Sequence, residues 1–369
     1  MLTFSTAGES HGRCLIALIE GLPHGLALDL DYINAELARR QGGYGRGGRM
    51  HIEADRAEAL TGVRKGRTIG APVTLMIPNR DFRIDDTPAV TTPRPGHADL
   101  AGMAKFGIDD ARDILERASA RETAARVAAG ALAKLLLREF GIEVVGCVLA
   151  IGPVQIEPPA LPADELRAAR DRSEVYCPDA AASEKMKREI DSARGDGDTL
   201  GGLIEVQASG VPAGLGSHAQ WRAKLDGLLA RAVMSVQAIK SVEIGMGRGV
   251  AFARGSKVHD EIVPGPSGKP MRPTNRAGGI EGGISNGCPI IVRAAMKPIP
   301  TLMQPLRTVD VRTGKPAAAA TERSDVCAVP AASVVVENAV AFEIAAAFVE
   351  KFGGDSIAEM KSRALRILQ

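Results

Sequence analysis

Four short segments of this chain are rich in the residue types that bind anions and transfer protons. They combine Gly, Ser, His and Arg, and they span residues 8–12, 39–49, 94–99 and 117–123. Glycine lets the backbone approach a ligand, arginine binds phosphate and carboxylate, and histidine transfers protons near neutral pH. The pattern predicts that the chain binds a polyanionic small molecule and performs acid–base chemistry on it.

The first segment, residues 8–12, fits the G-x-S-x-G pattern that surrounds a hydrolase nucleophile. That nucleophile normally follows several strands of a sheet, whereas only seven residues precede Gly8. We therefore interpret Ser10 and His11 as parts of a tight polar loop, with His11 as a proton donor. Taken alone, a histidine that only caps a turn explains this segment better.

The second segment contains residues 43–48, which have the spacing of a dinucleotide-binding fingerprint. That fingerprint needs a strand before it and a helix after it. Here a predicted helix precedes it and residues 49–53 look extended, so a Rossmann site is rejected. No acidic residue lies between Glu36 and Glu53. The loop is interpreted either as a phosphate-binding element or as a solvated basic loop, and its arginines are Arg40, Arg46 and Arg49.

The third and fourth segments place histidine and arginine beside local turn and cap signals. Residues 94–99 contain a turn, His97 and Asp99. Asp99 is a candidate to orient His97, although side chains at positions i and i+2 need not face each other, and an ordinary turn histidine is the simpler interpretation. Residues 119–122 have the form of a capping box, so a helix N-terminus lies beside Arg117 and Arg121. Free backbone N–H groups there attract anions. The alternative is a simple N-cap with two surface arginines.

Composition excludes several classes of function. Lys and Arg total 46 against 44 for Asp and Glu, so no strong field favours nucleic acid or an anionic membrane. Aromatic residues make up 3%, which argues against base stacking. The five cysteines are scattered and predict free thiols in a reducing compartment. We see no signal peptide, no apolar run long enough to span a bilayer and no metal-binding motif, so a cytoplasmic enzyme without a metal is expected.

Helices and strands alternate irregularly along the sequence. Helices are predicted over residues 31–40, 119–140, 221–234 and 331–352, and strands over 14–19, 73–77, 142–151, 202–208, 249–254 and 289–296. Strands often follow one another without an intervening helix, which favours an α+β fold. No linker is evident, so residues 1–369 are predicted to form a single domain. The glycine-rich residues 278–287 are interpreted as backbone that lies against a flat ligand.

Taken in order, the motifs resemble those of the chorismate synthase family. The resemblance rests on residues 8–12, 94–99, 117–123, 208–216, 242–245, 278–287 and 323–325. It implies a β-α-β sandwich, with helices between antiparallel sheets, that assembles as a homotetramer. It also implies conversion of 5-enolpyruvylshikimate 3-phosphate to chorismate and phosphate by a trans 1,4-elimination that requires reduced FMN. FAD and NADP are further cofactors associated with this resemblance.

The same resemblance assigns roles to particular residues. His11 matches the acid that protonates the departing phosphate, His97 the acid that protonates the reduced flavin, and Asp325 the residue that assists proton removal. Substrate contacts are implied for Ser10, Arg40, Arg46, Arg94, Arg121 and Arg323. Cofactor contacts are implied for Arg117, Ala118, Ser119, Gln237, Ala238, Gly282, Lys297, Pro298, Ile299, Pro300, Thr301 and Arg323.

Two departures from the family pattern and two other functions remain open at this stage. Cys288 replaces a common acidic residue, and Pro300 replaces a small hydroxyl residue. No additional segment suggests a flavin reductase, so an external source of reduced FMN is expected. A serine hydrolase that uses Ser10 is one alternative function, and a protein that binds phosphorylated ligands without turnover is the other.

Overall fold

A computed structural model describes residues 1–47, 54–266, 268–321 and 325–368. For residues 367 and 368 it describes the backbone and not the side chains. Its helices are α1 (Leu30–Gln41), α2 (Asp99–Phe106), α3 (Arg112–Ala118), α4 (Thr123–Arg138), α5 (Ala163–Asp171), α6 (Ala180–Gly195), α7 (Leu225–Met234), α8 (Val329–Phe352) and α9 (Ile357–Leu368). Its strands are β1 (Thr3–Ala7), β2 (Cys14–Glu20), β3 (Glu58–Thr61), β4 (Val63–Arg64), β5 (Arg67–Thr68), β6 (Val73–Pro78), β7 (Glu143–Ile151), β8 (Val154–Gln155), β9 (Gly202–Ser209), β10 (Ile239–Ile244), β11 (Val263–Pro264), β12 (Pro270–Met271), β13 (Ile280–Glu281), β14 (Ile284–Ser285), β15 (Ile290–Met296), β16 (Arg307–Val309) and β17 (Pro316–Ala318).

Two antiparallel sheets form the outer layers of the central sandwich. The first has the strand order β1-β2-β6-β3, and the second has the order β10-β15-β9-β7-β8. In β2, residues Leu15, Ala17 and Ile19 are buried while their neighbours are more exposed. The same alternation occurs in β15, where every second residue from Ile290 to Met296 is buried. Each sheet therefore presents an apolar face to the helices.

Helices α4 and α8 fill the space between the sheets. Helix α4 contacts β1, β2 and β6 of the first sheet, and α8 contacts β7, β9 and β15 of the second. The two helices cross closely at Gly130, where an added Cβ would lie 2.4 Å from Asn338 Cβ. The fold is the predicted α+β sandwich with helices between antiparallel sheets. The main apolar core draws on residues from Leu2 to Ala364.

A buried network of charged side chains crosses this helical layer. Glu337 of α8 accepts hydrogen bonds from Arg39, at 2.8 Å from Nη2, and from Arg170, at 3.0 Å. It also contacts Lys134, whose Nζ donates to Glu36 at 2.7 Å. Burial raises the pKa of the Glu337 carboxyl, but the three surrounding cations outweigh burial and hold that pKa well below its usual range. The network is thus ionised and cross-links α1, α4, α5 and α8.

Three predictions about local elements need correction. Residues 249–254 were predicted as a strand, but Gly247–Phe252 forms a 3-10 helix. Helix α8 is long and apolar enough to cross a membrane by length and composition, contrary to the prediction from apolar runs, but 78% of its apolar window is buried inside the protein. The glycine-rich residues 278–287 pack on the protein's own backbone. An added Cβ at Gly278 would lie 2.3 Å from Gly245 N.

The capping box at Ser119 is only half formed. Ser119 Oγ accepts from Arg121 N at 3.3 Å and caps the 3-10 turn Ala120–Glu122, which leads into α4. The Glu122 carboxylate does not return the bond. It accepts instead from Thr6 Oγ1, at 2.6 Å, and from Arg126. The second half of the motif is therefore replaced by bonds from β1 and α4 to the 3-10 turn.

Candidate active site

A cavity of about 490 Å³ opens between the two sheets at one end of the helical layer. Its walls include residues from all four of the segments singled out in the sequence. Its cationic and proton-carrying members are Arg40, Arg46, Arg94, His97, Arg121, Lys297 and Asp325, and Ser10 and Ser119 also line it. A volume of this size is typical of small-molecule sites.

Asp99, at the first position of α2, holds both Arg94 and His97. Its Oδ2 accepts from Arg94 N at 3.0 Å and from Arg94 Nε at 2.9 Å, and its Oδ1 accepts from Arg94 Nη2 at 3.1 Å. The Asp99 carboxylate also contacts Nδ1 of His97. Burial raises the pKa of Asp99, but the bonds from His97 and Arg94 hold it far below its usual range. The i, i+2 spacing therefore does bring this carboxylate to the histidine.

A second buried carboxylate, Asp55, joins two arginines of the cavity wall. Arg121 Nη1 donates to Asp55 Oδ1 at 2.6 Å, and Arg40 Nη1 donates to Oδ2 at 3.2 Å. The remaining nitrogens of Arg40 donate to Thr123 Oγ1 and to the carbonyl of Ala120. Burial lowers the pKa of Arg40 to about 10, against the opposing attraction of Asp55. These guanidinium groups are held in place before any ligand binds.

The loop that follows α1 brings Arg46 to Asp325. Arg46 Nη1 lies 2.8 Å from Asp325 Oδ2, and the backbone N–H of Gly47 donates to Oδ1 at 2.6 Å. The loop can approach α8 because it has no side chain at Gly43 (φ +100°), where an added Cβ would lie 2.7 Å from Pro330. Although no acidic residue lies between Glu36 and Glu53, distant carboxylates therefore reach Arg46 in this loop and Arg40, which lies in α1. Arg49 lies outside the described residues.

His11 is held beside the cavity by Glu116 of α3. Its backbone N–H donates to Glu116 Oε2 at 2.7 Å, and its Nδ1 lies 2.8 Å from Oε1. Ser10 N donates to the carbonyl of Glu116 at 2.9 Å. Burial raises the pKa of the Glu116 carboxyl, but the bonds from His11 lower it further than burial raises it. The segment lies between the antiparallel strands β1 and β2, so it lacks the strand–helix geometry of a hydrolase nucleophile.

Apolar side chains also line the cavity. They belong to Leu115, Val236, Ala238, Met296, Ile299, Ala328, Ala331, Ala332 and Val335. Beside them, Gln237 donates to Glu122 Oε2 at 3.1 Å, and its carbonyl oxygen is buried without a partner in the described residues. Lys297 lies at the rim, where burial and the nearby Lys240 lower its pKa. An apolar lining, an amide oxygen without a partner among the described residues and a cationic rim suit a largely apolar ligand that carries an anionic group.

The cavity brings together most of the residues assigned from the resemblance. Lining it are Ser10, Arg40, Arg46, Arg94, His97, Ala118, Ser119, Arg121, Gln237, Ala238, Lys297, Ile299, Pro300, Thr301 and Asp325. Among the described residues with an assigned role, His11, Arg117, Gly282 and Pro298 do not line it. Arg323 lies outside the described residues.

Three of the four assigned residues outside the lining have contacts or turn positions elsewhere. His11 directly follows Ser10 and is held by Glu116. Arg117 donates to the carbonyls of Thr6 and Gly8 at 3.0 and 2.9 Å. Gly282 lies in the two-residue turn between β13 and β14, where an added Cβ would meet nothing within 4 Å. In this chain, the structure therefore gives no support to cavity contacts for Arg117 and Gly282.

Sequence reasoning missed the carboxylates that hold the site together. Asp55 and Glu116 bind residues that are 15 to 105 positions away in sequence. No local spacing in the sequence predicts contacts between residues so far apart. Asn79 was missed for the same reason. Its Nδ2 donates to the carbonyl of Gly12 at 2.7 Å, and its Oδ1 accepts from Arg121 at 2.9 Å. Among the described residues, no group of three or more His, Cys, Asp or Glu side chains is placed to hold a metal.

Comparison with known proteins identifies the family. A family model described as chorismate synthase matches residues 2–349. A protein of Desulforudis audaxviator named chorismate synthase is 56% identical over 381 aligned residues, which cover 100% of this chain and 98% of that protein. The chain belongs to the chorismate synthase family.

Other members of the chorismate synthase family support the same conclusion. A chorismate synthase of Desulforamulus reducens is 55% identical over 376 residues, covering 98% of this chain and 97% of that protein. A solved structure titled as a crystal structure of chorismate synthase has 43% identity and a TM-score of 0.83, covering 100% of this chain and 97% of that chain. The protein is thus a carbon–oxygen lyase of aromatic amino acid biosynthesis that acts on a small molecule.

Proposed function

We propose that the cavity binds 5-enolpyruvylshikimate 3-phosphate together with reduced FMN and catalyses trans 1,4-elimination of phosphate to give chorismate. One observation carries the proposal: four arginines, His97 and Asp325 from separate segments line a single cavity that also has an apolar wall. A trianionic substrate needs several cations, and a flavin ring needs an apolar surface. When bound, reduced flavin would supply electron density to the substrate ring as the phosphate leaves.

The arginines bind and orient the substrate in this proposal. Asp55 holds Arg40 and Arg121, and Asp99 holds Arg94, so their guanidinium groups lose little freedom when the substrate arrives. Asp325 holds Arg46 at 2.8 Å, and substrate carboxylates would compete for that guanidinium. Binding would thereby release Asp325 to act on the ring hydrogen that the elimination removes.

The two histidines transfer or hold protons. His11 donates a proton to the departing phosphate from Nε2, because its Nδ1 is bound to Glu116. His97, bound through Nδ1 to Asp99, keeps a proton at the edge of the cavity near Lys297 and Thr301. Each histidine thus contacts a buried carboxylate through Nδ1, and this contact orients the imidazole ring.

The assay mixes the purified protein with 5-enolpyruvylshikimate 3-phosphate and dithionite-reduced FMN without oxygen, and follows chorismate absorbance and phosphate release. Equal amounts of chorismate and phosphate are expected, with none when the flavin is oxidised. The His11→Ala and His97→Ala variants should each lose about 10²–10⁴-fold in turnover, the usual contribution of a general acid. Unchanged turnover in both variants would contradict the assigned roles.

The same assay separates the two alternative functions. A serine hydrolase would be labelled by a fluorophosphonate and would lose the label after Ser10→Ala. A protein that only binds phosphorylated ligands would bind the substrate without releasing phosphate. We further propose that residues 1–369 act as one domain, that the protein is a cytoplasmic homotetramer, and that reduced FMN comes from an external reductant.

A further inference from the structure

Glu116 makes an unusually complete set of contacts to the loop that carries Ser10 and His11. Its carbonyl accepts from Ser10 N at 2.9 Å, its Oε2 accepts from His11 N at 2.7 Å, and its Oε1 lies 2.8 Å from His11 Nδ1. The Glu116 side chain is 2% exposed, and that of His11 is 11% exposed. One residue of α3 therefore fixes both the backbone and the ring of this loop.

The contact to Nδ1 determines which ring nitrogen can react. An ionised carboxylate only accepts hydrogen bonds, so Nδ1 must carry a hydrogen. Nε2 lies 4.0 Å from Asp81 Oδ2, which is too far for a hydrogen bond. Two further charges lie nearby: Arg112 Nη1 is 3.7 Å from Glu116 Oε1, and Arg83 Nε is 2.9 Å from Asp81 Oδ1. Asp81 is thus paired with Arg83, and no hydrogen bond to Nε2 is present among the described residues.

We propose that Glu116 is a positioning residue that holds the Nδ1–H of His11, so that the imidazolium donates its Nε2 proton to the departing group and returns to the neutral Nδ1–H form. This inference rests on the proposed function only in naming His11 as the proton donor. Glu116 itself does not line the cavity among the described residues, so it acts through His11 and not on the substrate. A similar arrangement holds His97, where Asp99 contacts Nδ1.

The Glu116→Gln variant tests the geometry directly. The backbone N–H of His11 is always a donor, so the amide oxygen of Gln must face it. The amide NH₂ group must then face Nδ1, which becomes an acceptor and leaves the hydrogen on Nε2. The substitution therefore reverses the tautomer of His11 while conserving size. Glu116→Asp keeps the carboxylate and should keep the Nδ1–H form.

The tautomer is read by magic-angle-spinning NMR of protein with ¹⁵N-labelled histidine, at about pH 8.5, well above the ordinary titration of histidine. The signals of His11 are assigned by their loss in His11→Ala. The wild type and Glu116→Asp should show a protonated Nδ1, and Glu116→Gln should show a bare Nδ1 with a protonated Nε2. An unprotonated Nδ1 in the wild type, or the same pattern in wild type and Glu116→Gln, would overturn the inference.

Turnover provides a second readout that a purely structural role would not give. Glu116→Gln should lower kcat about 10²-fold with KM changed less than about twofold, and Glu116→Asp should recover part of that loss. The matched control is Asp113→Asn, which removes an exposed carboxylate from the same helix and should leave both kcat and KM unchanged. A reversed tautomer with unchanged kcat would refute the positioning role, whereas absence of chorismate formation in the wild type would refute the proposed function alone.

Discussion

Replacing Asp99 by Asn should damage both stability and turnover, and the loss of stability should depend on pH. The Asp99 side chain is fully buried and bonds three nitrogens of Arg94 besides His97. Asn keeps one carbonyl oxygen, and because Arg94 donates to both oxygens of Asp99, the NH₂ group of Asn faces an Arg94 donor in either orientation. Removing one partner of a buried ion pair costs about 3–5 kcal/mol. That is a large part of the roughly 5–15 kcal/mol that stabilises a typical domain.

The pH dependence follows from the lowered pKa of Asp99 in the folded protein. A carboxyl of this kind contributes stability above its unfolded pKa of about 3.9, and the contribution is lost as the pH falls towards the folded value. The difference in unfolding free energy between wild type and Asp99→Asn should therefore be largest at neutral pH. It should shrink below about pH 4. Urea denaturation followed by circular dichroism at a series of pH values measures this difference.

A matched control comes from an exposed pair with similar geometry. Asp109 accepts from Arg312 at 3.0 and 3.1 Å, but both side chains are exposed to solvent. Asp109→Asn should leave the urea midpoint almost unchanged, because water screens surface ion pairs. Turnover of Asp99→Asn should fall about 10²–10⁴-fold, since His97 loses its carboxylate partner. A pH-independent loss of stability, or equal effects of the two variants, would refute the reasoning.

Three further predictions test other features. Gly130→Ala should lower the free energy of unfolding by about 1–3 kcal/mol, because the added Cβ would lie 2.5 Å from Asn338 O. Gly195→Ala, whose Cβ would meet nothing within 4 Å, should be neutral or slightly stabilising. Urea denaturation measures both variants. In the native protein, a thiol reagent should label Cys14 and Cys288 first. The other three thiols are buried, and burial raises the pKa of Cys327 to about 12. Rapid labelling of all five thiols would contradict this prediction. Glu337→Gln should lower the urea midpoint much more than Glu343→Gln on the same helix. Glu337 faces Arg39, Lys134 and Arg170, whereas the one ion pair of Glu343 among the described residues is with Arg231 at 3.9 Å. Similar midpoints for the two variants would show that the network contributes little to stability.

The parts of the fold that obey simple periodicity were predictable from sequence. Strands 14–19, 73–77 and 202–208 were placed within one or two residues of β2, β6 and β9, and helix 331–352 within two residues of α8. The short helices α2 and α3 and the outer helices α5 and α6 were missed. In α5 and α6 most residues are charged or small. These helices therefore contain few large apolar residues at the spacing that indicates an amphipathic helix. Residues 249–254 were predicted as a strand because their local pattern does not distinguish a strand from the 3-10 helix that Gly247–Phe252 forms.

The candidate site was predictable in its cations but only partly in its anions, since Asp99 and Asp325 were identified and Asp55 and Glu116 were not. Arginine and histidine were found because glycine and serine surround them in recognisable segments. Asp55 and Glu116 stand in ordinary surroundings, and only the fold brings them to Arg121 and His11. Glu122 shows the same limit in reverse. Its spacing from Ser119 indicated a capping box, yet Thr6 and Arg126, which the fold places beside it, bind its carboxylate instead.

The cavity wall runs from Ser10 near the start of the chain to Val335 in α8 near its end. Loop 43–47 packs on the first turn of α8, and Asp325 reaches back to Arg46. A ribosome-bound chain that has not yet released α8 thus lacks one wall of its catalytic chamber. The complete cavity therefore forms late in synthesis of the chain. Ligand binding requires that the loop containing Ser10 and helix α8 have both packed into the fold.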